Sequence, residues 1–248
     1  MRKTAPVAPE ERDPVLVLIH NPLVGPTTWC PVARELERRG CEAVVPSLLG
    51  VAEAPPPQWR YVPEAVRSAT ARTDKAIVLV GHSGGGLLLP AIAQALTVEV
   101  AALVFVDSFL PPATGRLPLA PPEFMQYLRA LSADGVLPKW SKWFGDDAMR
   151  ELVADARLRA ALEREMPQLP LSYFDGDVPV PGGWDANRCA YLLLAENPYG
   201  VSAADARDRQ WPVSEIRGAR HLAIATDPIP VTDALLALVR PAGTRSRS

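Results

Sequence analysis

The sequence predicts an α/β protein built on a mostly parallel, doubly wound sheet of about six strands. Three observations carry this reading. Short apolar runs alternate with helical patterns along most of the 248 residues, the rhythm of strand–crossover–strand units. Four of those runs are almost continuously apolar, as strands covered on both faces of a parallel sheet must be. One strandless interval breaks the rhythm, and it is too long to be a bare loop inside a compact domain.

In chain order, "VLVLIH" (15–20) is the first strand and "PVARELERRG" (31–40) its crossover helix. "CEAVVPS" (41–47) and "VPEAVRSATAR" (62–72) repeat the pair. "AIVLVGH" (76–82) and "GGLLLPAIAQAL" (85–96) do so again, followed by the strand "VAALVFVD" (100–107). From Pro111 to Asn187 no strand is expected, and two or three helices are, within "PPEFMQYLRALSADG" and "DDAMRELVADARLRAALEREMP". This interval gathers Trp140, Trp143, Phe144, Tyr173, Phe174 and Trp184, either as a small core of its own or as a cap whose underside lines an apolar pocket. The strand "CAYLLLAE" (189–196), the helix "SAADARDRQ" (202–210), the strand "PVSEIRG" (212–218) and the closing helix "PVTDALLALVR" (230–240) complete the series. The expected organisation is a tail at 1–13, a discontinuous core at 14–110 and 188–241, a cap insertion at 111–187 and a disordered tail at 242–248.

Composition narrows the function. Apolar residues make up 48% and charged residues 22%, ordinary for a globular protein. A net charge of −2 gives no electrostatic ground for nucleic acid or an acidic membrane surface as partner. Cys30, Cys41 and Cys189 are widely spaced, which argues against a disulfide framework and a zinc site. The N-terminal stretch lacks the apolar segment of a signal peptide, and no apolar run approaches the ~20 residues of a membrane span. A soluble, cytoplasmic protein acting on a small molecule is expected, with oligomeric state unspecified. The 27 prolines are about twice the usual ~5% share. Two of them, Pro22 and Pro26, stand in the loop directly after the first strand, where each deletes a backbone donor.

The chemistry concentrates at Gly81-His82-Ser83-Gly84-Gly85. This is G-x-S-x-G between a strand and a helix, the setting in which a sharp turn lifts a serine hydroxyl above the sheet. Glycines at 81 and 85 relieve the crowding of such a turn. No Walker lysine follows and G-x-G-x-x-G spacing is missing, so a phosphate loop does not fit. A serine needs a base. Of three histidines, His82 lies within the turn, His20 ends the first strand, and His221 follows the last strand in "EIRGARHLAIATDP", giving the order serine before histidine.

On these motifs the sequence resembles the α/β-hydrolase superfamily over nearly its whole length, above all the compact esterase, lactonase and hydroxynitrile-lyase-type branch that lacks the first two strands of the larger fold. The resemblance implies Ser83 as nucleophile, His221 as base, no cofactor, and an acid that orients His221. Two carboxylates compete for that place: Asp107 in "FVDSFLPP", slightly preferred because aspartate is the commoner orienter on a stiffer stem, and Glu196 in "LLLAENPYG", nearer the family's usual position. It also implies an oxyanion hole shared by the Gly84 amide and the loop after the first strand. There Asn21 stands where glycine is common and Pro22 near where the second donor often arises. The donor is then Leu23 N–H or the Asn21 side chain, or only the Gly84 donor remains. Trp140, Trp143 and Phe144 are expected to roof the substrate pocket.

The expected activity is hydrolysis of a carboxylic ester, lactone or thioester of a small to medium apolar substrate. Two rivals use the same site: a non-hydrolytic enzyme (lyase, cyclase or cofactor-free oxygenase), which Pro22 favours, and a capped-pocket binding protein with little turnover. Fold alone does not separate them.

Overall fold

The computed structural model describes residues 13–145 and 147–239 and contains a six-stranded parallel sheet with helices on both faces. The expected tails, apart from Asp13, lie outside the described residues. The first half runs β1 (Val15–Ile19), α1 (Cys30–Arg38), β2 (Ala43–Val44), α2 (Tyr61–Thr70), β3 (Ile77–His82), α3 (Leu89–Ala95) and β4 (Val100–Val106). The interval 111–187 holds β5 (Gly115–Pro118), α4 (Pro122–Leu131), α5 (Ala148–Leu152), α6 (Ala156–Glu165) and β6 (Asp177–Val180). β7 (Cys189–Leu193), α7 (Glu196–Asp208), β8 (Val213–Glu215), α8 (Ala223–Thr226) and α9 (Pro228–Val239) follow.

Alternation along each strand divides the core in two. Val15, Val17 and Ile19 face one side with Ile77, Leu79, Leu103, Phe105 and Tyr191; Val62 and Val66 of α2, Leu89 and Ile92 of α3 and Ala203 and Ala206 of α7 cover them. Leu16, Leu18, Val78, Val80, Val104 and Leu192 face the other side, under Val32 and Leu36 of α1 and Val231 and Leu235 of α9. Both parities are apolar, which is why the central strands read as unbroken apolar runs. Each fully buried Leu, Ile or Phe contributes about 1.5–3 kcal/mol.

The strand order β2-β1-β3-β4-β7-β8 places β1 and β4 on either side of β3. The winding steps outward from β1 to β2, then jumps back over β1 to β3 and proceeds the other way. Right-handed crossovers therefore put α1 on one face and α2 and α3 on the other. The loops after β1 and β3 leave the same sheet edge and diverge, which makes a crevice at this switch point.

The interval between β4 and β7 differs from expectation in two ways. It contains a two-stranded antiparallel ribbon, β5 with β6, where no strand was expected. Pro118 ends β5 and Pro179 interrupts β6, and only one face of β6 is buried, as Val178 and Val180 go in while Asp177 and Pro179 stay out. The helical run at 146–167 is also split. Val153 is extended, and Asp155 caps a fresh helix by accepting the Leu158 N–H at 2.7 Å. Trp143, Tyr173, Phe174 and Trp184 belong to the same apolar cluster as Ile19, Leu79 and Phe105, so the insertion shares the core of one sheet face. Its second footing joins Met149, Val153, Leu162 and Met166 to Val24, Leu222 and Ala225. Glu165 ties α6 to the loop after β1, accepting the Thr27 N–H at 2.9 Å and the Thr27 hydroxyl at 2.6 Å. Among the described residues no helix is long and apolar enough to cross a membrane.

Candidate active site

Ser83 stands at the carboxyl end of β3 with φ +54°, a left-handed conformation that costs a non-glycine residue about 1–3 kcal/mol. The turn closes because two neighbours have no side chain. A Cβ on Gly81 would lie 2.7 Å from Gly86 Cα, and one on Gly85 2.8 Å from the carbonyl oxygens of Ile19 and His20. The chain continues as a 3-10 turn, Ser83–Leu88, before α3. The first amides of such a turn have no partner within it.

Asp107, the residue after β4, also has positive φ (+42°) and is fully buried. One carboxylate oxygen accepts Leu194 N–H at 2.6 Å and Ala195 N–H at 3.1 Å. The other accepts Ala195 N–H at 3.0 Å and faces His221 Nδ1 at 3.1 Å. These bonds hold the buried carboxyl group in place against the imidazole, so that hydrogen on Nδ1 faces Asp107 and Nε2 is left to act. Tyr191 supports the same turn, donating to Ser108 O at 2.8 Å and accepting Ser108 N–H at 3.2 Å. Glu196 begins α7 on the exposed surface, its carboxylate lying along Gly200. The structure thus brings Asp107 to His221, and not Glu196.

The loop after β1 uses its prolines constructively. Val24 N–H donates to Asn21 O at 3.0 Å, and Leu23 N–H to Asn21 Oδ1 at 3.0 Å. This is a β-turn with proline at its favoured second position and an Asx turn nested inside. A backbone N–H can only donate, so Oδ1 must face Leu23, and the Asn21 amide nitrogen must face away from it. That nitrogen donates to Ser83 Oγ at 3.1 Å. Leu23 N–H is therefore spent on Asn21, and the side chain of Asn21 presents the donor to the nucleophile. Gly84 packs against the same carboxamide, with only 3.0 Å available for a Cβ.

Both remaining histidines brace this edge. His20 is fully buried; its Nε2 accepts Leu48 N–H at 3.0 Å, so Nδ1 carries the hydrogen and donates to Asn21 O at 2.9 Å. Burial lowers its pKa to about 4. His82 donates Nε2–H to His221 O at 2.9 Å, and burial holds its pKa well below the ordinary histidine range.

The His221 ring, 14% exposed, meets His82 at 4.4 Å and stacks on Tyr199 at 5.0 Å with 14° between planes. Tyr199, which the sequence reading passed over, also packs its ring against Phe109 at 5.3 Å. Of the three aromatics expected above the pocket, Trp140 has its ring 6.4 Å from His221. Trp143 instead packs on Phe124 and Phe174 with its indole N–H on Pro138 O. Phe144 is 60% exposed, against Tyr127 and Trp140. A buried indole with its donor satisfied is held within the insertion's own packing. Two surface clefts of 270 and 310 Å³ border α3, and neither is lined by a candidate site residue. Among the described residues no group of three or more His, Cys, Asp or Glu side chains is placed to hold a metal ion.

The fold is shared with solved enzymes. An extracellular alpha/beta-hydrolase from a Paenibacillus species is 19% identical with a TM-score of 0.73, over 92% of this chain and 100% of that one. Polyneuridine aldehyde esterase is 19% identical with a TM-score of 0.68, over 92% of this chain and 100% of that one. A pyrethroid hydrolase from Sphingobium faniae JZ-2 is 19% identical with a TM-score of 0.67, over 90% and 96%. Comparison with curated protein sequences finds no match. The profile of one family, the Alpha/beta hydrolase family, matches residues 16–234, and with that span added to the shared fold, the chain belongs to the alpha/beta hydrolase family.

Proposed function

We propose that the chain is a serine hydrolase cleaving a carboxylic ester, lactone or thioester of a small to medium apolar substrate. Ser83 Oγ attacks the carbonyl carbon as its proton passes to His221 Nε2, while Asp107 holds the imidazole and stabilises the imidazolium. The carbonyl π pair moves onto oxygen, where Asn21 Nδ2–H and Gly84 N–H donate to it. Collapse expels the alcohol or thiol with the proton from His221, and water repeats the sequence to release the acid. Trp140, Tyr199 and the 46% exposed Phe109 offer an apolar wall beside the site. A hydrolase and an esterase among the similar structures support the reaction class.

The observation that carries the reading is the His221–Asp107 contact at 3.1 Å beside a serine held at positive φ. One feature favours the non-hydrolytic rival: the hydrogen bond at Ser83 Oγ is with Asn21 rather than with His221, which leaves His221 Nε2 free to act directly on a substrate proton. Fluorophosphonate labelling followed by a short-to-long acyl ester panel separates the two. Labelling at Ser83 with turnover is expected; labelling without turnover of any ester, lactone or thioester would transfer the site to the rival.

A further inference from the structure

His221 reaches the site from far along the sheet. It lies in the turns between β8 and α8, and β7 and β4 separate β8 from β3, which carries Ser83. We propose that His82, the residue before the candidate nucleophile, is the positioning residue that registers this turn, and with it the His221 imidazole, against Ser83. The proposal rests on the serine-hydrolase reading and supplies the means by which its base is held.

Two contacts of one side chain carry it. His82 Nε2 lies 2.9 Å from His221 O. A carbonyl can only accept, so Nε2 carries the hydrogen and Nδ1 does not. The same ring meets the His221 ring at 4.4 Å with 34° between planes. One imidazole therefore touches His221 at its backbone and at its side chain. His82 is itself well fixed. It is 1% exposed at the end of β3, in register with Val106 of β4, and Trp29 meets its ring edge-on at 6.1 Å. Because His82 is bonded to Ser83 in the chain, the nucleophile and the holder of the base share one peptide.

The other contacts of His221 do not replace this one. Leu222 and Ala223 are buried beside it, but apolar packing has no direction. Asp107 meets Nδ1 at 3.1 Å, and a single contact leaves the ring free to swing about it. A second, directional bond at the carbonyl sets the peptide plane, and the ring contact sets the tilt. Nε2 needs both, since it must come within ~2.6–3.2 Å of the proton it takes. His82 also suits the charge that follows. When His221 becomes an imidazolium, a second cation at this range would oppose it. Burial holds the His82 pKa well below the ordinary histidine range. Its Nδ1, where a second proton would go, is buried with no hydrogen-bond partner among the described residues.

The test compares His82→Phe, which keeps a ring and loses the donor, with His82→Gln, whose amide nitrogen restores a donor near the place of Nε2. Both are made in the full chain and assayed on p-nitrophenyl acetate. We expect kcat of the Phe variant to fall about 10²-fold with KM nearly unchanged, as displacing a reacting group by about 1 Å does. The Gln variant should recover most of that loss. In proton NMR of chains labelled at histidine, the His221 Nδ1–H resonance should move or broaden in the Phe variant and return towards its parental position in the Gln variant. A Phe variant as active as the parent overturns the proposal. So does a Gln variant as impaired as Phe, or a loss that falls on KM alone. Should the Phe chain fail to fold, His82→Asn, whose amide stops short of the carbonyl, takes its place with the same expectations. Fluorophosphonate labelling of the parent at Ser83 with ester turnover is the control. If it holds and the variants match the parent, only the role of His82 falls. If the parent neither labels nor turns over, the hydrolase reading falls and takes this proposal with it.

Discussion

Acidification should loosen the candidate oxyanion loop before it disturbs the rest of the sheet, through His20. The folded site holds this imidazole neutral: Nε2 receives Leu48 N–H, so a second ring proton would be driven against a donor. The unfolded chain accepts that proton near pH 6.5, and the folded site declines it until about pH 4. Above 6.5 neither state is charged and the group contributes nothing. Between 6.5 and 4 the unfolded state binds more protons, so stability falls as pH falls, levelling off below 4. The full loss is about 3 kcal/mol, a substantial part of a typical 5–15 kcal/mol stability. Urea denaturation followed by tryptophan fluorescence at pH 7.5 and 4.5 measures it against His20→Gln, which keeps an acceptor for Leu48 but does not titrate. Between those pH values the parent should lose about 2–3 kcal/mol more than the variant. His82 shifts in the same direction, chiefly through burial, and the part of its shift that does not come from His20 is common to both proteins. Parallel stability curves for the two proteins, or an NMR titration of His20 above pH 6 in the folded chain, would refute the argument.

Ser83→Ala should leave the fold intact and lower kcat by about 10⁶-fold, as loss of a triad nucleophile does; a purified variant with near-parental turnover would end the serine reading. Asp107→Asn should cost about 10³–10⁴ in kcat through the wrong tautomer, with Glu196→Gln within a few-fold of the parent, and kinetics showing the reverse ranking would move the acid to Glu196. Asn21→Ala should lower kcat about 10²–10³-fold with little change in KM, measured on the same ester. Trp140→Ala should raise KM for bulky acyl groups more than for acetyl, and equal effects across the ester panel would remove Trp140 from the pocket.

The fold was legible because its central strands are apolar at both parities. All six sheet strands stand where apolar runs were expected, but "CEAVVPS" and "PVSEIRG" shrink to Ala43–Val44 and Val213–Glu215. These are the edge strands, hydrogen-bonded on one side only, so pairing ends where the chain bends. The β5–β6 ribbon was illegible for the opposite reason: in "DVPV" the alternation that marks a strand is present, and the proline argues it away. At the candidate site, Ser83 and His221 were nominated by motif and chain order. Choosing between Asp107 and Glu196 needed the sheet, since both end strands at the same edge. The backbone amides of Leu194 and Ala195 enclose the aspartate and leave the glutamate outside. Tyr199 left no periodic signal, and the available clue was its place in "NPYG" just after a strand at the sheet edge that carries Ser83.

The two prolines of the first loop weaken the expectation of a full oxyanion hole only while donors are counted along the backbone. Pro22 deletes an amide, but it also fixes the second position of the turn that fastens Asn21 Oδ1 to Leu23 N–H. That bond engages one end of the carboxamide and so directs its other end at Ser83. A free asparagine side chain would spend conformational entropy each time it met a developing charge. Here the Asx turn, the His20 bond to Asn21 O and the contact with Gly84 have removed that freedom in advance. A side-chain amide so restrained meets the same requirement as a backbone N–H, a donor already in place before the charge forms. Its cost is structural: the donor depends on a neutral, buried His20 and on a proline turn pinned to the insertion through Thr27 and Glu165. On the proposed reading, the expected acid sensitivity of the fold and the competence of the site are therefore coupled through one loop.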